Sequence, residues 1–255
     1  MIVDRMHTEF KVLVDKSDSF NSANFTIAEI DLYLSNAQEE FIEQRAWGNN
    51  FKRESIEETQ KRVKDLQSLV VNARLSFLPS TLDNKENAFF VALPDGVTVL
   101  DENNIPYPKY RHAINEELVV QYVDCNERTK TTRVPVVALT HDKYNTAVTN
   151  PFAKPSFNRV YRLPYGRIGN LEHFEIIVSP PMIMTSRGYQ LRYLKDPKKI
   201  DKAQIQVPLG LPGNAQGDLT DESYREVIAI AVRNALGDIE SIRVNDAREK
   251  LNEIE

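Results

Sequence analysis

The chain contains few of the residues that several kinds of functional site require. It has one cysteine, Cys125, and nine glycines in 255 residues, about half the usual glycine content of roughly 7%. A single cysteine excludes an internal disulfide and a zinc site built from several thiolates, and it fits a reducing compartment. A glycine-rich phosphate-binding loop is not expected, because no Gly-Lys-Ser or Gly-Lys-Thr sequence is present.

Long apolar runs are also missing from the sequence. No stretch approaches the roughly 20 apolar residues of a membrane-spanning helix, and Asp4, Arg5 and Glu9 interrupt the apolar positions at the start of the chain. We therefore expect a protein that is neither secreted nor inserted in a membrane. The 37 acidic and 32 basic residues give a net charge of −5, which disfavours a polyanion as the main partner.

The sequence offers little material for catalysis. None of the four histidines has a second ligand at the spacing of a metal site. Asp124 and Cys125 could join His141 and Asp142 in a nucleophilic set if their segments met. The favoured interpretation is that Cys125 is a small buried residue and that His141 lies in a loop. We therefore predict no catalytic residue, no metal and no cofactor.

Capping boxes predict helices in residues 1–77. Thr26-Ile27-Ala28-Glu29 begins an apolar stripe that we expect to end near Arg45, and Ser55-Ile56-Glu57-Glu58 begins a second one that we expect to reach Arg74. A shorter helix is predicted upstream, where Phe10 and Val14 share one face. The first 77 residues are thus expected to be helical.

Residues 78–207 have a different pattern. Short β-rich runs replace the helical spacing, at 89–93, 118–123, 133–139, 159–163, 174–178 and 189–194. The turn residues Pro94-Asp95-Gly96 predict a hairpin between 89–93 and 97–100. No helical pattern is evident between the strands, so parallel βαβ units are not expected. We expect instead an antiparallel sheet or a small sandwich.

The end of the chain returns to helix. Residues 208–218 are rich in glycine and proline and predict a linker, and Thr220 is placed to cap a helix within residues 219–255. One amphipathic helix is not stable alone, so it should pack on the N-terminal helices. The predicted fold is α+β: N- and C-terminal helices packed as a bundle, with an inserted, mainly antiparallel β domain.

The helical ends resemble structural proteins of crAss-like short-tailed bacteriophages. Four segments support the resemblance, namely residues 9–16 (EFKVLVDK), 29–45 (EIDLYLSNAQEEFIEQR), 61–70 (KRVKDLQSLV) and 219–241 (LTDESYREVIAIAVRNALGDIES). The resemblance covers both helical ends of the chain, and the β region only loosely. The resemblance implies a non-enzymatic virion protein, made in the host cytoplasm, that forms a ring joining the portal vertex to the tail.

That resemblance also implies the partners. The expected ones are further copies of the chain in a ring of twelve, the portal protein, other ring and tail proteins, and genomic DNA in transient contact with the lumen; no membrane is expected. Cyclic closure requires two different surfaces on each subunit. Candidate interface residues are Trp47, Phe51, Tyr107 and Tyr110 for an apolar core and Glu39, Glu43, Lys61 and Lys64 for charge pairs.

Two alternatives remain open at this point. The four aromatic residues also fit ordinary core or loop positions, and the alternation of aromatic and basic residues in 107–111 and 157–167 fits either half-buried strands or a surface that faces DNA. A soluble cytoplasmic enzyme or regulatory module of unassigned chemistry is the alternative to the ring protein. A solution mass above that of the monomer would favour the ring.

Overall fold

The protein is an α+β chain, as the sequence predicts. A computed structural model describes residues 3–17, 25–46, 60–79, 88–123, 127–179, 182–202 and 217–252. The chain divides into two compact units, which we call the helical unit (Met1–Leu69 with Pro197–Glu255) and the β unit (Val70–Asp196).

The helices fall mostly in the helical unit. That unit contains α1 (Val3–Ser17), α2 (Ile27–Ala46), α3 (Gln60–Leu66) with a following 3-10 turn (Gln67–Leu69), and α5 (Asp221–Asn252), while α4 (His141–Thr149) lies in the β unit. None of the helices in the described part of the chain has the length and apolar content needed to cross a membrane.

Side-chain caps form at the start of α2 and of α5, where the sequence predicts that these helices begin. At α2, the Glu29 carboxylate accepts from the Thr26 amide at 2.7 Å, and the Thr26 hydroxyl accepts from the Glu29 amide at 3.3 Å. At α5, the Thr220 hydroxyl accepts from the Ser223 amide at 3.3 Å. Gly237 does not end α5, which continues to Asn252.

Apolar faces of α1, α2 and α5 are buried within the helical unit, where α2 and α5 contact each other and α1 contacts both. Polar side chains join α2 to α5: the Tyr33 hydroxyl donates to Asp238 at 2.9 Å, and the Arg233 guanidinium donates to Glu40 at 2.6 Å. The buried apolar residues include Met6, Phe10, Ile30, Leu34, Phe41, Tyr224, Val227, Ile228 and Ala231.

The predicted end of the third helix is wrong. α3 ends at Leu66 rather than near Arg74, and Val70–Leu75 form the first strand, β1. Residues 70–75 pair along their whole length with a strand more than 100 residues later, and this pairing overrides a helical pattern that contains two adjacent β-branched valines. The predicted cap at 55–58 lies outside the described residues.

The β unit is built on one eight-stranded sheet. Its remaining strands are β2 (Phe77–Pro79), β3 (Ala88–Ala92), β4 (Tyr110–Val123), β5 (Thr129–Ala138), β6 (Val160–Ile168), β7 (Leu171–Ile177) and β8 (Ile183–Lys195). The strand order is β1-β8-β4-β5-β6-β7-β3-β2, and every neighbouring pair is antiparallel except β5 and β6.

The sheet is curled until its two edges meet. β1 and β2 stand at opposite ends of the strand order, yet Ser76 alone separates them in the chain. The edges must therefore come together at Ser76. Inward-facing residues of the two halves fill one core, which includes Val91, Leu118, Val120, Val134, Val160, Ile176, Tyr189 and Tyr193.

Two further predictions for the β region are wrong. Residues 97–100 do not pair with 89–93; β3 pairs with β2 and β7, because the Asp95 carboxylate accepts from the Val97, Thr98 and Val99 amides and folds this segment into a turn. A parallel crossover is also present, since β5, α4 and β6 form a βαβ unit.

The packing of α5 generates a stability prediction. Ala231 is fully buried whereas Ala229, two residues earlier on the same helix, is exposed. Ala231→Asp should destabilise the protein by about 3–5 kcal/mol, the size expected for a buried charge without a counter-charge. Ala229→Asp is the matched control and should change stability by less than about 0.5 kcal/mol. Equal thermal midpoints for the two variants would contradict the packing described for α5.

Candidate functional site

The charged candidates lie on the helical unit. Glu39 and Glu43 are on the exposed side of α2. Lys61 and Lys64 are used within the chain: the Lys61 ammonium lies 2.9 Å from a Glu226 oxygen, and the Lys64 ammonium lies 3.5 Å from a Glu222 oxygen. These two lysines therefore link α3 to the first turns of α5.

Arg45 is the centre of this polar cluster. Its guanidinium lies 3.2 Å from Asp65, and it forms a close ion pair with Glu226. Burial raises the pKa of Asp65 above its ordinary value, although the positive charge of Arg45 acts to lower it. Arg45, Asp65 and Glu226 belong to α2, α3 and α5 respectively, so the cluster fixes the three helices to one another.

The aromatic candidates are divided between described and undescribed parts of the chain. Trp47 and Phe51 lie outside the described residues. Tyr107 and Tyr110 are half-buried against the core of the β unit. The Tyr110 ring lies 5.9 Å from Phe174 and 5.7 Å from Tyr193, measured between ring centroids. Tyr107 and Tyr110 therefore contribute to folding, whatever surface they also offer to a partner.

Several of the alternating aromatic and basic side chains in residues 107–111 and 157–167 form contacts within the chain. Lys109 pairs with Asp196 at 2.8 Å, and Arg167 pairs with Glu172 at 3.1 Å. Tyr161 is buried. This pattern fits half-buried strands better than a row of basic groups that follows a phosphate backbone.

A buried ionic cluster crosses the interior of the β unit. The Glu116 carboxylate on β4 lies 2.6 Å from Arg162 Nε on β6, and it accepts a 2.9 Å hydrogen bond from the Tyr189 hydroxyl on β8. The Arg162 guanidinium lies over the Phe174 ring, 4.3 Å from its centroid. Burial raises the pKa of Glu116, and the nearby Arg162 and Tyr189 only partly oppose that effect. The cluster holds three strands in one register.

Hydrogen bonds also fix the loop between β3 and β4. Asp95 accepts from three successive amides and from the Thr98 hydroxyl; although burial opposes ionisation, these bonds lower the pKa of Asp95 to about 2. Asp101 accepts from the Asn103 and Ile105 amides, each at 2.8 Å. Val97 and Ile105 remain exposed in this ordered loop.

A second ordered loop, residues 150–159, presents Phe152 with 92% of its surface exposed. The Asn150 side chain accepts from the Phe152 amide at 3.0 Å, and the Arg159 guanidinium donates to the Phe152 carbonyl at 2.7 Å. The Tyr161 hydroxyl donates to the Ala153 carbonyl at 2.6 Å. We call this feature the Phe152 loop. The sequence predicts residues 142–158 as a long loop available for subunit contact, but no pattern in it singles out Phe152.

The helical unit contains an open groove of about 1090 Å³ between α2 and residues 199–202. Its apolar wall includes Ile27 and Leu32, which are 49% and 59% exposed. Four carboxylates and two lysines also line it, namely Asp4, Asp31, Glu39, Asp201, Lys199 and Lys202. We call this feature the α2 groove.

Hydrogen bonds hold both sides of the α2 groove together. The Ser35 hydroxyl donates to the Ile200 carbonyl at 3.2 Å, and the Lys202 amide donates to Asp31 at 3.1 Å. The other Asp31 oxygen lies 2.7 Å from the ring of the buried His7. The groove is therefore a formed surface of the helical unit.

Asp124 and Cys125, two members of the suggested nucleophilic set, lie outside the described residues. The His141 ring is 2.7 Å from the Pro164 carbonyl. In the described ranges, no three histidine, cysteine, aspartate or glutamate side chains cluster as metal ligands would.

The described surface presents ordered loops and a groove. The chain belongs to the phage tail ring protein 3/4 family of crAss-like phages, whose sequence profile matches residues 1–242. This confirms the resemblance seen in the helical ends. Membership gives the chain a structural, ring-forming role in the bacteriophage virion, together with other tail proteins. A comparison with curated proteins finds no match.

The buried cluster generates a pH-dependent prediction. Because the pKa of Glu116 is higher in the folded chain than its ordinary value of 4.5, the folded state binds more protons than the unfolded state between the two values. The stability that this group contributes therefore falls as pH rises through that window. Glu116→Gln should remove this dependence and, at neutral pH, cost about 1–3 kcal/mol, because the half-buried Arg162 loses its counter-charge.

Urea unfolding at several pH values measures both effects. The difference in unfolding free energy, wild type minus Glu116→Gln, should decrease as pH rises above 4.5. Glu117→Gln on the same strand is the matched control, since Glu117 is a more exposed partner of Arg133. An identical pH slope for the two differences would show that burial of Glu116 does not govern its protonation.

Proposed function

We propose that the chain forms a closed ring of twelve copies at the head-to-tail junction of the virion, between the portal protein and the tail. The observation that carries the proposal is the family match over residues 1–242. The twelve-fold copy number follows from the expectation that the ring mates with a twelve-fold portal. A cyclic ring closes only when a heterologous contact repeats at a fixed rotation.

The proposed ring uses both parts of the chain. Helical segments within residues 1–77 and 219–255 act as one bundle, and the β insertion within residues 78–207 supplies surface loops. The linker at 208–218 leads from the insertion back to the bundle. Contacts of α2 with α5 and the Arg45 cluster support a bundle that moves as one body. A rigid subunit is needed because small angular errors at each contact would prevent closure.

The subunit contacts are proposed to combine an apolar centre with a charged rim. Trp47 and Phe51 are the proposed apolar contacts, and Glu39 and Glu43 belong to the rim. Lys61 and Lys64 contribute to it while paired with α5. Tyr107 and Tyr110 act mainly through the folding of the β unit, because their rings pack against its core.

The genome is proposed to leave the capsid through the lumen of this ring, with only transient contact. The β unit, with 15 basic and 13 acidic residues, has a net charge of +2, and the helical unit, with 17 basic and 24 acidic residues, has a net charge of −7. Neither unit carries the strong positive charge that would hold DNA tightly. The role is proposed to be non-enzymatic, in a protein made in the host cytoplasm and assembled into the virion.

Electron cryomicroscopy of purified particles tests the proposal. Reconstruction of the portal vertex without imposed symmetry should place twelve copies of the chain around the portal-to-tail axis. A position away from that axis, or a copy number that cannot match a twelve-fold portal, would contradict it.

Two aromatic substitutions separate assembly from folding. Trp47→Ala should reduce incorporation of the chain into particles and leave the melting temperature nearly unchanged, because Trp47 is proposed to contact a neighbour. Tyr110→Ala should instead destabilise the isolated chain by about 1–3 kcal/mol, because its half-buried ring packs against the core of the β unit. Thermal unfolding and particle composition measure the two effects. A large loss of stability in Trp47→Ala would assign that residue to the core.

A further inference from the structure

Phe152 is an exposed aromatic residue on an ordered backbone. Three hydrogen bonds fix the chain around it, from the Phe152 amide to Asn150, from Arg159 to the Phe152 carbonyl, and from Tyr161 to the Ala153 carbonyl. These hydrogen bonds therefore hold the Phe152 side chain in solvent, where 92% of its surface is exposed. Ordering before binding reduces the entropy cost of association, and buried aromatic anchors commonly dominate the energy of an interface.

The α2 groove has the complementary properties. Its wall contains the exposed side chains of Ile27 and Leu32. A volume of about 1090 Å³ is sufficient to admit an aromatic side chain together with part of its loop. Burying a phenylalanine against such a wall removes apolar surface from water on both sides.

Charge favours a second copy of the chain as the partner. Phe152 lies in the β unit, where Lys154 and Arg159 flank it, whereas four carboxylates and two lysines line the α2 groove of the helical unit. The two units carry net charges of +2 and −7 respectively. Complementary potentials of this kind set orientation and accelerate encounter.

We propose that Phe152 of one copy inserts into the α2 groove of a neighbouring copy. This inference rests on the proposed ring, and it adds one pair of different surfaces to the heterologous cyclic contact. Each copy presents its Phe152 loop to one neighbour and receives the loop of the other neighbour in its groove. The contact repeats around the ring without leaving either surface uncovered.

Photo-cross-linking in assembled particles tests this contact. Full-length chain that contains p-benzoylphenylalanine at position 152 is incorporated into particles and irradiated, and the cross-linked peptides are identified by mass spectrometry. We expect a covalent dimer joined between position 152 and residues 27–39 or 199–202. Cross-links from ring-containing particles to another part of the chain, to a different tail protein, or to nothing would overturn the inference.

Two variants provide an independent readout. Phe152→Ala and Leu32→Asp should each weaken association between copies by about 10- to 100-fold, the effect of losing a dominant aromatic contact. Both positions are exposed, so melting temperatures should stay at the wild-type value. Ile105→Ala, which truncates an exposed apolar residue on the other ordered loop, is the matched control and should associate normally. Normal association of both Phe152→Ala and Leu32→Asp would also overturn the inference.

The same particles separate this inference from the proposed function. If the chain forms the axial ring but position 152 cross-links elsewhere, the ring stands and the Phe152 contact is rejected. If the chain is absent from an axial ring, the proposed function itself fails.

Discussion

Pairing between the first and last strands of the β unit is the constraint on which the architecture depends. β1 and β8 are antiparallel over six residue pairs, from Val70 opposite Leu194 to Leu75 opposite Tyr189. The chain therefore enters and leaves the β unit at adjacent strand ends. Because the insertion begins and ends at neighbouring points, helices that precede and follow it can pack in one unit although the whole β unit lies between them in the sequence.

Contacts in the interior of the sheet fix the strands that carry its surface loops. Glu116, Arg162 and Tyr189 join β4, β6 and β8, and β6 continues from the loop that presents Phe152. Such a buried ion pair costs desolvation energy, which the raised pKa of Glu116 reflects. Its contacts tie β4 to β6 and to β8. A ring subunit benefits from this arrangement, because fixed loops define the rotation between neighbours that allows closure.

Features determined within a few residues could be predicted from the sequence, whereas those determined by distant partners could not. The caps at Thr26 and Thr220 are local, and both helices begin there. Residues 70–75 have a helical pattern but form a strand, since β8 supplies their hydrogen bonds. Among the site candidates, Lys61 was expected at a subunit seam and is paired with Glu226, 165 positions away. The exposure of Phe152 depends on contacts from Arg159 and Tyr161, which no local pattern indicates.

The central claim is that the chain assembles through surfaces that are ordered before assembly. Hydrogen–deuterium exchange of the full chain, compared between the free protein and assembled particles, tests it most directly. Amides of residues 150–159 should already exchange slowly in the free chain, because hydrogen bonds order this loop. On assembly, exchange should slow further there and in residues 27–39. Rapid exchange of residues 150–159 in the free chain, or no change in either segment on assembly, would contradict the account.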